Sequence, residues 1–112
     1  LTVFGGAGGH YFVEELRRGV QGTMPGCCQV EEFVRVWDAF HRGDEDKALE
    51  AFQPILEVGR VVQQEPGAFY KVHKEILRQR GLIRTANIRG PVAPLDALTQ
   101  RELQALIDKW YR

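Results

Sequence analysis

Apolar residues change their rhythm along this chain. Over positions 1–4, Leu1, Val3 and Phe4 make a short, partly β-branched run closed by Gly5-Gly6-Ala7-Gly8-Gly9. That pattern predicts a buried strand emptying into a glycine loop. From His10 to Val20 the spacing becomes helical: Phe12, Val13, Leu16 and Val20 fall on one side. Glu14 and Glu15 stand early in this run and Arg17 and Arg18 late, as the helix dipole favours, and Gly19 is placed to end it. Gln21-Gly22-Thr23-Met24 predicts a second short strand, broken by Pro25-Gly26. Val30, Phe33, Val34, Trp37, Phe40 and His41 then trace one helical face with Glu31, Glu32, Arg35 and Asp38 opposite, and Gly43 follows as a C-terminal stop. Asp44 is placed to cap the next helix, which carries Ala48, Leu49, Phe52, Ile55, Leu56 and Val62; Pro54 inside it removes a backbone donor and predicts a kink. Phe69, Val72, His73, Ile76 and Leu77 predict a further helix stopping at Gly81, and residues 87–94 read as an extended, proline-held connection. Thr99 with Glu102 forms a capping box ahead of Leu103, Leu106, Ile107 and Trp110.

The order is therefore strand, helix, strand, helix, and then helices only, an α/β class that is mostly α. Two strands do not hold together alone in water, and short buried strands joined by a helix call for a parallel sheet covered on both faces. Such sheets have more strands than this. A β/α barrel normally takes ~250 residues, so this chain fits the last two strands of a TIM (β/α)8 barrel followed by a helical C-terminal extension. On that expectation the neighbours of the amino-terminal ribbon are not encoded within these residues.

Composition narrows the partners. Fifteen basic and fifteen acidic side chains give a formal net charge of +0, and no Lys/Arg cluster offers the surface that nucleic acid or an anionic membrane requires. Apolar runs fall far short of the ~20 residues that span a bilayer, and no signal-like segment opens the chain. Cys27 and Cys28 are adjacent and cannot staple distant segments, which points to reduced thiols and a cytoplasmic setting.

Several stretches, taken in order, resemble the dihydrodipicolinate synthase/N-acetylneuraminate lyase family of aldolases. A strand ending in a glycine pair, a helix, and Gly19-Val20-Gln21-Gly22-Thr23-Met24-Pro25 are similar to that family's seventh and eighth strand region. Arg42-Gly43-Asp44, Pro54-Ile55-Leu56, Glu65-Pro66 with Lys71, Gly81-Leu82 and Arg89-Gly90-Pro91-Val92-Ala93-Pro94-Leu95 follow in the family's order. The resemblance implies a barrel with a helical appendage, residues 1–42 supplying the last two β/α units and 43–112 the extension. It implies a lyase joining or cleaving pyruvate or a related 2-oxo acid through a Schiff base, without a further cofactor, in a homo-oligomer such as a tetramer. The Schiff-base lysine and its assisting tyrosine would lie before Leu1, so this stretch would supply no catalytic residue. Gly5, Gly6 and Ala7 after strand seven, and Thr23 and Met24 after strand eight, would line the substrate pocket. Many members carry Asp or Asn after the strand-seven glycine, where this chain has Gly6-Ala7-Gly8.

Each of these residues also has a plainer role. The glycine loop could offer backbone N–H groups to an anion at a helix start, but Tyr11 stands where G-x-G-x-x-G needs its third glycine and no P-loop Lys-Ser/Thr follows. Thr23 could bind a carboxylate or hydroxyl, and Met24 could be pocket wall or barrel core. His10 is expected to be a solvated first-turn histidine, and His41 and His73 core-edge residues. Lys71 and Lys74, on an amphipathic helix, are expected to be solvated or ion-paired rather than Schiff-base amines. The scattered histidines and paired cysteines form no metal-ligand spacing. Against the lyase stands a non-catalytic helical interaction or oligomerisation module, since residues 30–80 and 99–110 hold enough amphipathic helix for a bundle core.

Overall fold

A computed structural model describes residues 1–112. It contains five α-helices: α1 Phe12–Leu16, α2 Val30–His41, α3 Glu45–Val62, α4 Ala68–Gln79 and α5 Ala97–Trp110. Single 3₁₀ turns at Ala7–Gly9 and Cys27–Gln29 precede α1 and α2. The chain resolves into two compact units, Leu1–Leu56 and Glu57–Arg112, with α3 running across the division.

In the first unit the two expected strands do pair, and in parallel. Gln21 N donates to Val3 O at 3.0 Å, Gly5 N to Gly22 O at 2.9 Å and Met24 N to Gly5 O at 3.2 Å, which sets Gly5 opposite Thr23. The pairing amounts to one isolated bridge rather than a regular strand pair. It is also not buried, contrary to the apolar run's implication: Val3 is 52% and Phe4 53% exposed. Within these residues no third segment covers the ribbon.

The helix expected from His10 to Val20 is restricted to Phe12–Leu16. Positive φ at Ala7, Gly8 and Gly9 keeps the preceding turn out of helical geometry, and Gly19 closes the other end. There Val20 N reaches Glu15 O at 3.2 Å, and the same closure recurs after α2 (Asp44 N to Ala39 O, 3.0 Å) and α4 (Leu82 N to Leu77 O, 2.9 Å). Gly19, Gly43 and Gly81 hold the left-handed position in these turns. Burial gathers on Phe12, Val13, Leu16, Phe33, Val36, Ala39, Ala48, Phe52 and Ile55. Phe12 forms the hub, 5.6 Å from the Phe33 ring and stacked 6.4 Å from Trp37.

Asp44 caps α3 as its position predicts, Oδ1 accepting from Lys47 N at 3.1 Å. The helix then continues through the buried Pro54 as one element. The carbonyl deprived of a partner by that proline belongs to Glu50, an exposed residue.

In the second unit Val58, Val61, Ala68, Val72, Ile76, Leu103 and Ile107 are buried. Helix α5 begins earlier than the expected capping box at Thr99. Asp96 is the N-cap, its Oδ1 accepting from Leu98 N and Thr99 N, both at 2.9 Å, while Thr99 Oγ1 donates to Asp96 Oδ2 at 2.8 Å. A carboxylate is the stronger acceptor, and Thr99 is thereby carried into the helix and buried. Glu102 is left to accept from Gln64 Nε2 at 2.6 Å. Glu57 takes Lys109 Nζ at 2.8 Å and Trp110 Nε1 at 2.8 Å, fastening the end of α5 to α3.

Candidate functional site

The bridge between Gly5 and Thr23 brings the predicted site residues to one end of the ribbon. Gly5, Thr23 and Met24 share the pairing itself, and Gly6 and Ala7 continue from Gly5 into the loop. Ala7 has a φ of +52°, the one non-glycine residue in the left-handed region. The turn holds it there through Gly9 N to Gly6 O at 2.9 Å and His10 N to Ala7 O at 3.4 Å. Left-handed backbone at a residue with a Cβ is strained and is concentrated at sites where the chain must follow a fixed path. Thr23 Oγ1 is buried and has no hydrogen-bond partner, so an oxygen or nitrogen brought to it would find an unused donor and acceptor. Met24, by contrast, is 71% exposed within these residues.

Two neighbours of this cluster were not placed in it by the sequence. His10 is partly buried rather than solvated, and its ring folds back on the glycine loop: a Cβ on Gly8 would lie 3.1 Å from its Nε2. Burial lowers the His10 pKa below the ordinary imidazole value, favouring the neutral ring. Glu15 reaches from α1 to Gly5, where a Cβ would fall 1.9 Å from Oε2, and that oxygen is buried without a partner. Its place beside Phe12 and Leu16 on the apolar stripe was the available sign. The anion-binding reading of the loop loses ground, because α1 spans five residues and so few aligned peptides sum to little dipole.

The remaining candidates sit apart from the cluster along the sequence. His41 is exposed and packs on Trp37 at 3.9 Å, its Nδ1–H donating to the Trp37 carbonyl at 2.8 Å. His73 is buried against Phe69 at 4.3 Å. Lys74 donates to the Asn87 carbonyl. Lys71 departs from expectation: its Nζ is buried and meets no hydrogen-bond partner. Cys27 is exposed and Cys28 buried, both as free thiols. No group of His, Cys, Asp and Glu side chains gathers that could hold a metal ion, and no helix is long and apolar enough to cross a membrane.

No family model and no curated protein sequence matches the chain. Among solved structures it is similar to dihydrodipicolinate synthase from Rhodopseudomonas palustris, at 30% identity and a TM-score of 0.86 over 97% of this chain. The chain belongs to the dihydrodipicolinate synthase family, as its C-terminal portion. It spans 36% of the length of that synthase. The fold is accordingly the C-terminal part of a TIM barrel protein, its two paired segments followed by helices. In such barrels the loops after the C-terminal strand ends build the site, and the Gly5–Ala7 loop and Thr23–Met24 occupy that end of the ribbon.

Proposed function

We propose that this chain forms the C-terminal part of a Schiff-base lyase or aldolase acting on pyruvate or a related 2-oxo acid. Residues 1–42 supply the last two β/α units and residues 43–112 the helical extension. Gly5, Gly6, Ala7, Thr23 and Met24 form one wall of the substrate pocket, and the catalytic lysine belongs to the part of the fold that these residues do not span. The observation that carries this reading is the parallel Gly5–Thr23 bridge, which leaves the buried, unpartnered Thr23 hydroxyl beside the strained Ala7 loop. It also speaks against the free-standing helical module, in which the amino end would dangle rather than pair.

In chemical terms, Schiff-base formation needs a deprotonated amine aimed at the 2-oxo carbon, with the substrate carboxylate held to fix its approach. Thr23 Oγ1 is suited to donate to that carboxylate. The small residues at 5–7 let substrate approach the backbone closely. A homo-oligomer in a cytoplasmic setting completes the proposal, since the ribbon's apolar side chains require protein cover.

The test is reconstitution. The chain is mixed with the complementary amino-terminal portion of a dihydrodipicolinate synthase, and pyruvate with borohydride is added. A reduced adduct is expected on the complement only, and weaker for Thr23→Val. A complex that forms and traps no adduct, or an adduct on Lys71 or Lys74 of this chain, overturns the proposal.

A further inference from the structure

The second unit contains a cleft of about 830 Å³ between α4, the connection 86–95 and α5. Lys71, Asn87, Ile88, Leu95, Arg101 and Leu103 are among the residues that wall it. Its size and its mainly apolar lining with a few polar groups are those of small-molecule sites. The polar groups differ in whether their bonding capacity is already used. Glu75 accepts from Arg78 at 2.9 and 2.6 Å and from Gln79 at 2.8 Å, so its charge is matched. Gln79 and Gln104 bond each other at 2.8 and 3.1 Å, and Gln100 donates to Leu95 O at 2.6 Å. Lys74 holds the Asn87 carbonyl, tying the connection to α4.

Among the charged groups lining the cleft, Lys71 is left over in the interior. Its Nζ is buried with no acceptor, and an ammonium in that condition is costly unless something anionic meets it. Arg101 adds a second positive charge at the same cleft. Beyond them the walls at Ile88, Pro94, Leu95 and Leu103 are apolar.

We propose that this cleft is a binding site for a small organic carboxylate, with the carboxylate on Lys71, Arg101 near it and the hydrocarbon body against Ile88 and Leu95. A carboxylate fits better than a phosphate, because Gln79 and Gln104 are already bonded to each other and Gln100 to the Leu95 carbonyl, which leaves fewer amides for further anionic oxygens. The site is built only from residues of the second unit and is independent of the 2-oxo acid pocket proposed above. A ligand there would act on the helical extension, as an effector rather than a substrate.

The full chain, labelled with nitrogen-15, is titrated with sodium hexanoate, with inorganic phosphate and hexylammonium chloride as comparison probes. Saturable shifts at the amides of Lys71, Asn87, Ile88 and Arg101 are expected with hexanoate alone. Lys71→Met should weaken hexanoate by about tenfold or more while leaving the thermal midpoint unchanged or raised, since a buried unpartnered amine is removed. Arg101→Gln, a change at an exposed residue, keeps the test open should Lys71→Met fold poorly, and should weaken binding several-fold. Cleft amides unmoved by millimolar hexanoate, equal affinity in both variants, or equal shifts with phosphate would overturn the proposal. None of these outcomes bears on pyruvate trapping, which tests the barrel reading separately.

Discussion

Ala7 holds a left-handed backbone at φ +52° between glycines that adopt it freely. Replacing it with glycine should relieve about 1 kcal/mol of strain and raise the urea midpoint, unless the Cβ makes a contact worth as much. Asp96 makes the opposite case. Its pKa is lowered first by the backbone N–H of Thr99 and then by the Thr99 hydroxyl, so the ionised form is the one that caps α5. A carboxyl with a depressed folded pKa gives stability that is present above its unfolded value and lost as pH falls through the folded one. Asp96→Ala should therefore lower the urea midpoint at neutral pH and lose its effect in acid. His10 shifts downward by burial, and for a base the sign reverses. The unfolded chain takes up the proton first, so stability falls as pH drops through the ordinary imidazole value. His10→Gln should flatten that acid slope in urea unfolding measured between neutral pH and pH about 5. None of these three environments was visible in the sequence. Ala7's φ depends on the turn around it, the α5 cap on whether the helix starts before or after Leu98, and the His10 shift on a ring folding back over Gly8.

At the scale of elements much more was legible, because helix ends are written locally. Gly19, Gly43 and Gly81 were each placed at a helix stop from spacing alone, and each closes its helix through the same left-handed turn. Gly9 was read only as part of a glycine loop, since what restricts it is distant in sequence. A Cβ there would meet the Phe33 ring at 2.4 Å, whereas nothing lies within 4 Å of one on Gly81. Both have positive φ, +75° and +74°, so the pair separates conformation from contact. Gly81→Ala should cost about 1 kcal/mol in urea unfolding. Gly9→Ala should cost about 3 kcal/mol, because the ring that it strikes belongs to the core cluster of Phe12 and Val36. Equal losses would mean that Phe33 moves aside freely. Pro54 marks the limit of local reading: the missing donor was visible, but not that the helix continues through it as one element.

For the whole molecule, the apolar run 1–4 was read as a strand buried by neighbours outside these residues; its end pairs in parallel through one isolated bridge at Gly5, and Val3 and Phe4 are exposed within these residues. Burial depends on what lies on the ribbon's other faces, which no pattern within 112 residues encodes. Leu1 and Val3 are left exposed, and only the facing sides of the two segments are bonded to each other. An apolar edge with unpaired backbone groups is a template for further strands. Within a complete barrel those strands are supplied by the rest of the fold; alone, another copy of this chain offers the same edge. Association should thus rise with concentration in sedimentation velocity. A Leu1→Lys, Val3→Lys double variant should shift the chain toward monomer, since charge on an edge discourages pairing without touching the Phe12 core. Its unfolding free energy in urea, extrapolated to low protein concentration, should stay within about 0.5 kcal/mol of the parent. If the double variant associates as strongly as the parent, the surface that drives assembly lies elsewhere, and the ribbon is not waiting for strands.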